Sequence, residues 1–113
     1  MSHRDEFLGF RFFALSPAQL DELRNVCPDV QSRPARKREG LVTGALNLRP
    51  DADYSWLKSF IDERNIPDCD YGLFVSVSTS SDSEIVRLPQ FAADIFRQVG
   101  GVIDFSFTVL SDE

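Results

Sequence analysis

Two segments of this chain alternate strictly between apolar and polar residues, and this pattern limits what the chain can fold into. They are Tyr71–Thr79 (YGLFVSVST) and Val102–Leu110 (VIDFSFTVL). Successive side chains of a strand point to opposite faces of the sheet, so each segment predicts a strand with one apolar and one polar face. A sheet made of such strands buries one face only, which favours helices on one side and largely antiparallel pairing.

Signals for further elements occupy the rest of the chain. The run from Ser16 to Gln19 is a capping box with proline at the first helical position, and it predicts a helix that Pro28 ends. The other predicted strands are Phe7–Ala14, Leu41–Leu48 and a short Glu84–Leu88, and the other predicted helices begin at Asp51 or Asp53 and at Pro89. The order β-α-β-α-β-(β)-α-β predicts an α+β, two-layer, ferredoxin-like fold, with a mostly antiparallel sheet of four to five strands packed against the helices.

The length of 113 residues predicts a single domain, 1–113, in which residues 1–6 form a flexible terminus. The ten phenylalanines need a core, and a chain of this size can build one without disulfides or metal. The first residues, MSHRDEF, lack the apolar region of a signal peptide, and no apolar run is long enough to span a membrane. We therefore expect a cytoplasmic protein without a membrane partner, in which Cys27 and Cys69 are unpaired thiols.

The sequence lacks the residues that most kinds of catalytic site require. The only histidine, His3, lies in the predicted flexible terminus, which argues against nucleophilic triads. Two distant cysteines and one histidine do not form a zinc site, and no phosphate-binding glycine loop follows a strand. We expect no enzyme activity, no metal and no cofactor. Carboxylates are plentiful, so a small enzyme or ligand-binding module that uses a carboxylate pair stays open as an alternative.

The net charge of -6 sits entirely between residues 51 and 84, where eight acids face two bases. One interpretation is a solvated surface that keeps the protein soluble. The other is a surface complementary to a basic protein partner, with the aromatic residues of the segment as anchors. The candidate partner-binding residues are Asp51, Asp53, Tyr54, Trp56, Asp62, Glu63, Asp68, Asp70, Tyr71, Asp82 and Glu84.

A basic stretch, Arg33–Gly40 (RPARKREG), stands against this acidic background. Nucleic acid binding requires a basic face with several phosphate contacts, and a single loop in an acidic chain does not supply one. The sequence therefore predicts no nucleic acid partner. We expect a solvated loop whose arginines pair with acids of a neighbouring helix or of a second subunit.

The succession of elements resembles a broad family of small bacterial domains of unknown function found among the immunity proteins of polymorphic toxin systems. The resemblance rests on a capped first helix, a loop ending at Gly40 before the strand TGALNL, a Trp-bearing helix, and Gly100-Gly101 before the closing strand VIDFSFTVL. It implies a non-enzymatic cytoplasmic protein that binds and neutralises one bacterial toxin domain. Such toxins are often basic nucleases, and an acidic inhibitor can mimic the charge of their substrate. The resemblance carries over no catalytic residues.

The main functional hypothesis is therefore an immunity protein whose acidic surface binds a cognate basic toxin. The alternative is a small structural or regulatory subunit that self-associates through its sheet. The chain is accordingly expected to be a monomer or a homodimer.

Overall fold

The structure, a computed structural model, describes residues 4–36, 38–80 and 87–110. These residues form an α+β fold with one five-stranded sheet and three α-helices. The elements are β1 (Arg4–Leu15), α1 (Pro17–Val26), β2 (Gln31–Pro34), β3 (Val42–Asn47), α2 (Trp56–Glu63), a 3-10 turn (Asp68–Asp70), β4 (Tyr71–Thr79), α3 (Gln90–Val99) and β5 (Val102–Val109).

The predicted helix starts and stops are confirmed for two of the helices. The Ser16 Oγ accepts a hydrogen bond from the Gln19 backbone N–H at 3.1 Å, and the Gln19 Oε1 accepts one from the Ser16 N–H at 3.0 Å, which is a complete capping box. At the other end of the chain, α3 ends before Gly100 and Gly101, whose φ angles of 70° and 96° suit glycine. Helix α2 begins later than predicted, at Trp56, and ends at Glu63.

The sheet is mixed, with the strand order β2-β3-β1-β4-β5. Strand β1 lies in the middle and pairs antiparallel with both neighbours, whereas β4 and β5 pair parallel. The α+β class is therefore confirmed, but the ferredoxin-like order is not observed. The parallel pair has a physical reason: α3 carries the chain back across the sheet, so β5 must start at the same end as β4.

Part of the basic stretch forms a strand instead of the predicted loop. Residues Gln31–Pro34 make the short edge strand β2, which pairs antiparallel with Val42–Ala45 of β3. All four residues of β2 are exposed, so they give no alternation of buried and exposed positions from which a strand could be predicted. The predicted strand Glu84–Leu88 falls largely on residues 81–86, which lie outside the described residues, and Arg87 and Leu88 form no strand.

The helices cover one face of the sheet, and the core lies between the two layers. Phe10 and Phe12 at its centre are fully buried, with ring centroids 5.3 Å apart, and Tyr71 stacks on Phe10 at 5.9 Å. Each helix adds buried side chains, which are Leu20 and Leu23 from α1, Leu57, Phe60 and Ile61 from α2, and Ala92 and Ile95 from α3. The second face of the sheet has no helix on it among the described residues.

Candidate functional site

Most of the candidate acidic residues that the structure describes lie shortly before α2, at its end or shortly after it in the chain. Asp51 and Asp53 are exposed in the connection that precedes this helix, and Asp62 and Glu63 are exposed at its end. Asp68 follows in the 3-10 turn and is also exposed. Asp82 and Glu84 lie outside the described residues.

The two groups of carboxylates are separated by the length of the helix. Eight helical residues rise about 12 Å at 1.5 Å per residue. A standard protein interface of about 800 Å² per partner is roughly 30 Å across, so both ends of α2 fit within one such interface. The structure therefore does not gather the acids into one cluster, but it places them along one helix and its flanks. We call the exposed side of α2, with Asp51, Asp53 and Asp68 at its ends, the α2 surface.

Some of these acids already have cationic partners. Lys58 Nζ lies 3.0 Å from Asp62, and Arg64 Nη1 lies 3.5 Å from Glu63. Asp51, Asp53 and Asp68 make no ion pair with any described residue. The negative charge available to a partner is therefore concentrated on these three carboxylates.

Asp53 is held by the chain itself. Its Oδ1 accepts a hydrogen bond from the Ser55 backbone N–H at 2.9 Å, which forms a local turn before α2. This bond lowers the pKa of Asp53 because it stabilises the charged carboxylate. Asp53 is thus an ionised, fixed acid at the start of the helix. The sequence predicted that Asp51 or Asp53 caps this helix. That prediction is wrong, because the first helical residue is Trp56 and Asp53 lies too far before it to be the cap.

Asp70 belongs to a different environment. Arg38, from the connection between β2 and β3, places its Nη1 3.0 Å from the Asp70 carboxylate, whose side chain is only 13% exposed. This ion pair and its hydrogen bond raise the pKa of Arg38. The sequence predicted that an arginine of the basic stretch pairs with an acid of a neighbouring helix or of a second subunit. Arg38 does pair with an acid, which belongs to the 3-10 turn of the same chain. Asp70 is consequently not part of the exposed α2 surface.

The three aromatic candidates take different positions. Tyr71 is a core residue whose hydroxyl donates to the Val99 carbonyl, so it is not available as an interface anchor. Tyr54 is half-buried, and its hydroxyl accepts from the Arg49 N–H at 2.8 Å. Trp56 is also half-buried, donates from Nε1 to the Asp53 carbonyl at 3.1 Å and packs edge-on against Phe60. Tyr54 and Trp56 therefore border the α2 surface as fixed, partly exposed rings.

A second surface lies at the edge of the sheet, where the self-association alternative requires exposed apolar side chains. The alternation in β5 is as predicted, but its apolar side chains are largely exposed, including Phe105 at 63% and Phe107 at 45%. Val109 continues the stripe on the same face. Val75 and Val77 of β4, which lie opposite Phe105 and Phe107, are buried, so the exposure belongs to the edge strand β5 itself. Among the described residues, β5 has a neighbouring strand on one side only, and we call Phe105, Phe107 and Val109 the β5 stripe.

An arginine between α1 and α2 was also missed. Arg64 is 19% exposed, pairs with Glu22 of α1 and with Glu63, and lies with its guanidinium 4.0 Å from the Phe60 ring centroid. Its Nη1 also donates to the Phe60 carbonyl at 3.2 Å. In the sequence, the one feature that indicates a role in packing is the position of Arg64 directly after the helix α2, which has an apolar face. Arg64 thus joins the two helices and is not a surface charge.

Other chemistry has little support in the described residues. Within residues 4–36, 38–80 and 87–110, no three His, Cys, Asp or Glu side chains are grouped so that they could hold a metal ion. Cys27 and Cys69 are free thiols. No helix among these residues has the length and apolar character needed to cross a membrane.

Comparison of the chain with protein-family models, with curated proteins and with solved structures gives no match.

Proposed function

We propose that this protein is a cytoplasmic, non-enzymatic immunity protein, which binds and neutralises a basic bacterial toxin domain such as a nuclease. The observation that supports this most is the excess of exposed carboxylates on the α2 surface. Asp51, Asp53 and Asp68 have no cation beside them in the described part of the chain, so their charge is available to a partner. The resemblance to immunity domains of polymorphic toxin systems points to the same role.

The physical basis is electrostatic complementarity. A nuclease holds phosphates with lysine and arginine, and carboxylates set along a helix can occupy such a cationic surface. Complementary charge mainly accelerates association and fixes the relative orientation of the partners, while apolar contacts slow dissociation. Tyr54 and Trp56, which border the α2 surface, supply partly exposed rings for these contacts.

The proposal is tested by protection of cells. The basic partner that the wild-type protein captures from cells of the source organism is expressed from an inducible promoter in a bacterial host, together with wild-type protein or a variant. Wild-type protein is expected to restore growth, and Asp51→Lys with Asp68→Lys is expected to reduce protection. The matched control is Asp21→Lys with Glu39→Lys, which makes the same charge change at exposed acids outside the α2 surface. Equal protection by both double variants contradicts the assignment of this surface.

A second candidate role has its own observation. The β5 stripe lies on the edge strand of the sheet that the described residues form, and an edge strand with exposed apolar side chains favours pairing with another strand. Antiparallel pairing of two β5 strands around a two-fold axis brings the stripes of two copies side by side. This arrangement supports a self-associating structural or regulatory subunit.

Sedimentation velocity at micromolar concentration tests self-association. Under this second role the wild type is a dimer, Phe105→Ser with Phe107→Ser is a monomer, and Val26→Ser remains a dimer. Val26 is a suitable control because it is an exposed apolar residue on α1, away from the strand edge. A monomeric wild type leaves the immunity proposal standing and removes this one.

A further inference from the structure

The face of the sheet opposite the helices carries arginine and aromatic side chains. Strand alternation puts Leu8, Phe10 and Phe12 of β1 towards the core, and it therefore puts Phe7, Arg11 and Phe13 on the opposite face. The register extends this face across the sheet, since Arg33 of β2 lies opposite Thr43 and Phe74 of β4 lies opposite Gly9. We call this surface the open face.

Four arginines from separate parts of the chain surround one concavity on the open face. Its volume is about 480 Å³. The arginines are Arg11, Arg33, Arg36 and Arg38, and Phe13, Pro34, Thr43, Cys69 and Asp70 complete the lining. A second concavity of about 290 Å³ shares Arg11, Arg33 and Thr43 with the first and extends to Phe7. The two concavities therefore form one trough across β2, β3 and β1.

The positive charge of the trough is only partly balanced. Arg38 is paired with Asp70, and Asp104 of β5 attracts Arg11. Arg33 and Arg36 are exposed and make no ion pair within the described ranges. Burial and then the nearby charge of Arg33 lower the pKa of Arg11, and the charge of Asp104 opposes this shift. The local charge is thus positive although the whole chain is acidic.

Aromatic rings lie beside these charges. The Arg11 guanidinium carbon is 3.6 Å from the centroid of the Phe74 ring, and the Phe7 ring lies 6.0 Å from Phe74. Phe7 is 41% exposed. The Arg11 guanidinium over the Phe74 ring and the exposed Phe7 ring, which is tilted by 58° to Phe74, offer two neighbouring surfaces on which flat ligand groups can stack.

We propose that the open face binds single-stranded nucleic acid, with its phosphates on Arg33, Arg36 and Arg38 and its bases on Phe7 and on the Arg11–Phe74 stack. The sequence argued against nucleic acid because a single basic loop offers too few contacts. The structure adds Arg11 from β1 and the aromatic rings to that stretch, which supplies both kinds of contact that single strands require.

Two competing ligands fit less well. Duplex nucleic acid hides its bases in the stack, so the rings of the open face are of no use to it. An acidic protein segment can pair with the arginines but leaves the Phe7 ring and the Arg11–Phe74 stack without flat partners. The combination of unpaired guanidiniums with a stacking platform therefore favours a single strand.

The test is fluorescence anisotropy of labelled 12-residue oligo(U) and oligo(dT) with the full-length protein at low salt. Binding in the micromolar range is expected, and the logarithm of the binding constant should fall with log[salt] with a slope of about -2, for roughly three phosphates at about 0.7 each. Arg33→Glu with Arg36→Glu is expected to weaken binding at least about tenfold and to flatten this slope. Phe7→Ala is expected to weaken binding about tenfold without changing the slope, because stacking is not ionic.

A charge-matched control separates the trough from the overall charge. Lys58→Glu with Arg97→Glu makes the same charge change at exposed cations of α2 and α3, and it should leave affinity within about twofold of wild type apart from general repulsion. Circular dichroism melting checks that each variant is folded, and Arg33→Gln with Arg36→Gln provides a milder version.

Three outcomes overturn the proposal. They are absence of oligonucleotide binding by the folded wild type, equal losses in the two double variants, and displacement of the oligonucleotide by poly-glutamate of equal charge. The last outcome assigns the trough to an acidic protein segment instead. Loss of toxin binding in the α2 variants has no bearing on this result, since those residues lie on the opposite layer.

Discussion

The guanidinium of Arg38 and the carboxylate of Asp70 lie 3.0 Å apart and connect the basic stretch to the acidic segment. The two residues are 32 positions apart in sequence. Arg38 precedes β3 and Asp70 precedes β4, and both strands begin at the same end of the sheet. This pair explains why an acidic protein retains at least one of its clustered arginines: the arginine compensates a largely buried carboxylate next to β4.

Removing this pair should loosen the connection between β2 and β3. Asp70→Asn leaves Arg38 without its ion pair, so we expect several-fold faster trypsin cleavage at Arg36 or Arg38. The matched control is Asp68→Asn, which removes a neighbouring acid that has no ion pair with the described residues, and it should cleave like the wild type. Equal cleavage of both variants shows that the pair does not order this segment.

Arg64 should contribute more to stability than a surface arginine. Arg64→Met removes the pairs to Glu22 and Glu63 and the bond to the Phe60 carbonyl, and we expect a loss of about 1 to 3 kcal/mol in the free energy of unfolding in urea. The control Arg97→Met breaks an exposed pair with Asp94 and should lose less than about 0.5 kcal/mol. Similar losses in the two variants contradict a joining role for Arg64.

Gly72 should be nearly irreplaceable because of the parallel β4–β5 pair. A Cβ at this position meets the Val102 carbonyl oxygen at 2.0 Å, so Gly72→Ala must push β5 away from β4. We expect a loss of roughly 3 kcal/mol or more, in the range of a strained core substitution. Gly40→Ala is the control: its φ of +80° is unfavourable, but nothing lies within 4 Å, and about 1 kcal/mol is expected. A Gly72→Ala protein as stable as Gly40→Ala rules out the described register of β5.

Stability should also depend on alkaline pH through Tyr71. Burial raises the pKa of Tyr71 above 10.0, with further contributions from Asp68 and Asp62. A raised pKa stabilises the fold fully below about pH 10 and less as the pH rises through the folded-state value. At pH 7, Tyr71→Phe should be about 1 kcal/mol less stable than the wild type, because the Val99 carbonyl loses its hydrogen-bond donor. Between pH 10 and 12, the free energy of unfolding should fall less in Tyr71→Phe than in the wild type, because the variant has no phenol to ionise. Urea unfolding at pH 7 and at several values between pH 10 and 12 measures the free energy of unfolding. The control Tyr54→Phe should lose as much of this free energy at alkaline pH as the wild type does.

The sequence was sufficient for those elements whose local chemistry determines them. The Ser16 capping box, the Gly100-Gly101 stop and the alternation in β4 and β5 all act within a few residues, and each appears in the structure. The parallel pairing of β4 and β5 was predictable in principle, since a strand, a helix and a strand in succession return in the same direction. Alternation alone pointed to antiparallel pairing, because it reports only that one face of the sheet lacks a covering layer.

The surfaces were harder to predict because they depend on tertiary distances. Alternation predicts that Phe105 and Phe107 share a face, but their exposure follows from the position of β5 at the edge of the described sheet. In the same way, Asp70 and Asp68 are equivalent in the sequence, and only the position of Arg38 makes one a structural acid and leaves the other free. Arg11 joins the basic trough through the sheet register, which the sequence does not specify.

The most direct test of the central proposal is affinity capture of the partner from cells of the source organism. The baits are the tagged wild-type protein, the Asp51→Lys with Asp68→Lys variant and the charge-matched Asp21→Lys with Glu39→Lys control, each eluted and quantified by mass spectrometry. The immunity proposal predicts one basic protein in near one-to-one amount with the wild type and the control, and its loss with the α2 variant. Recovery of the bait alone, or equal recovery of a partner by all three baits, contradicts a toxin-binding role for the α2 surface.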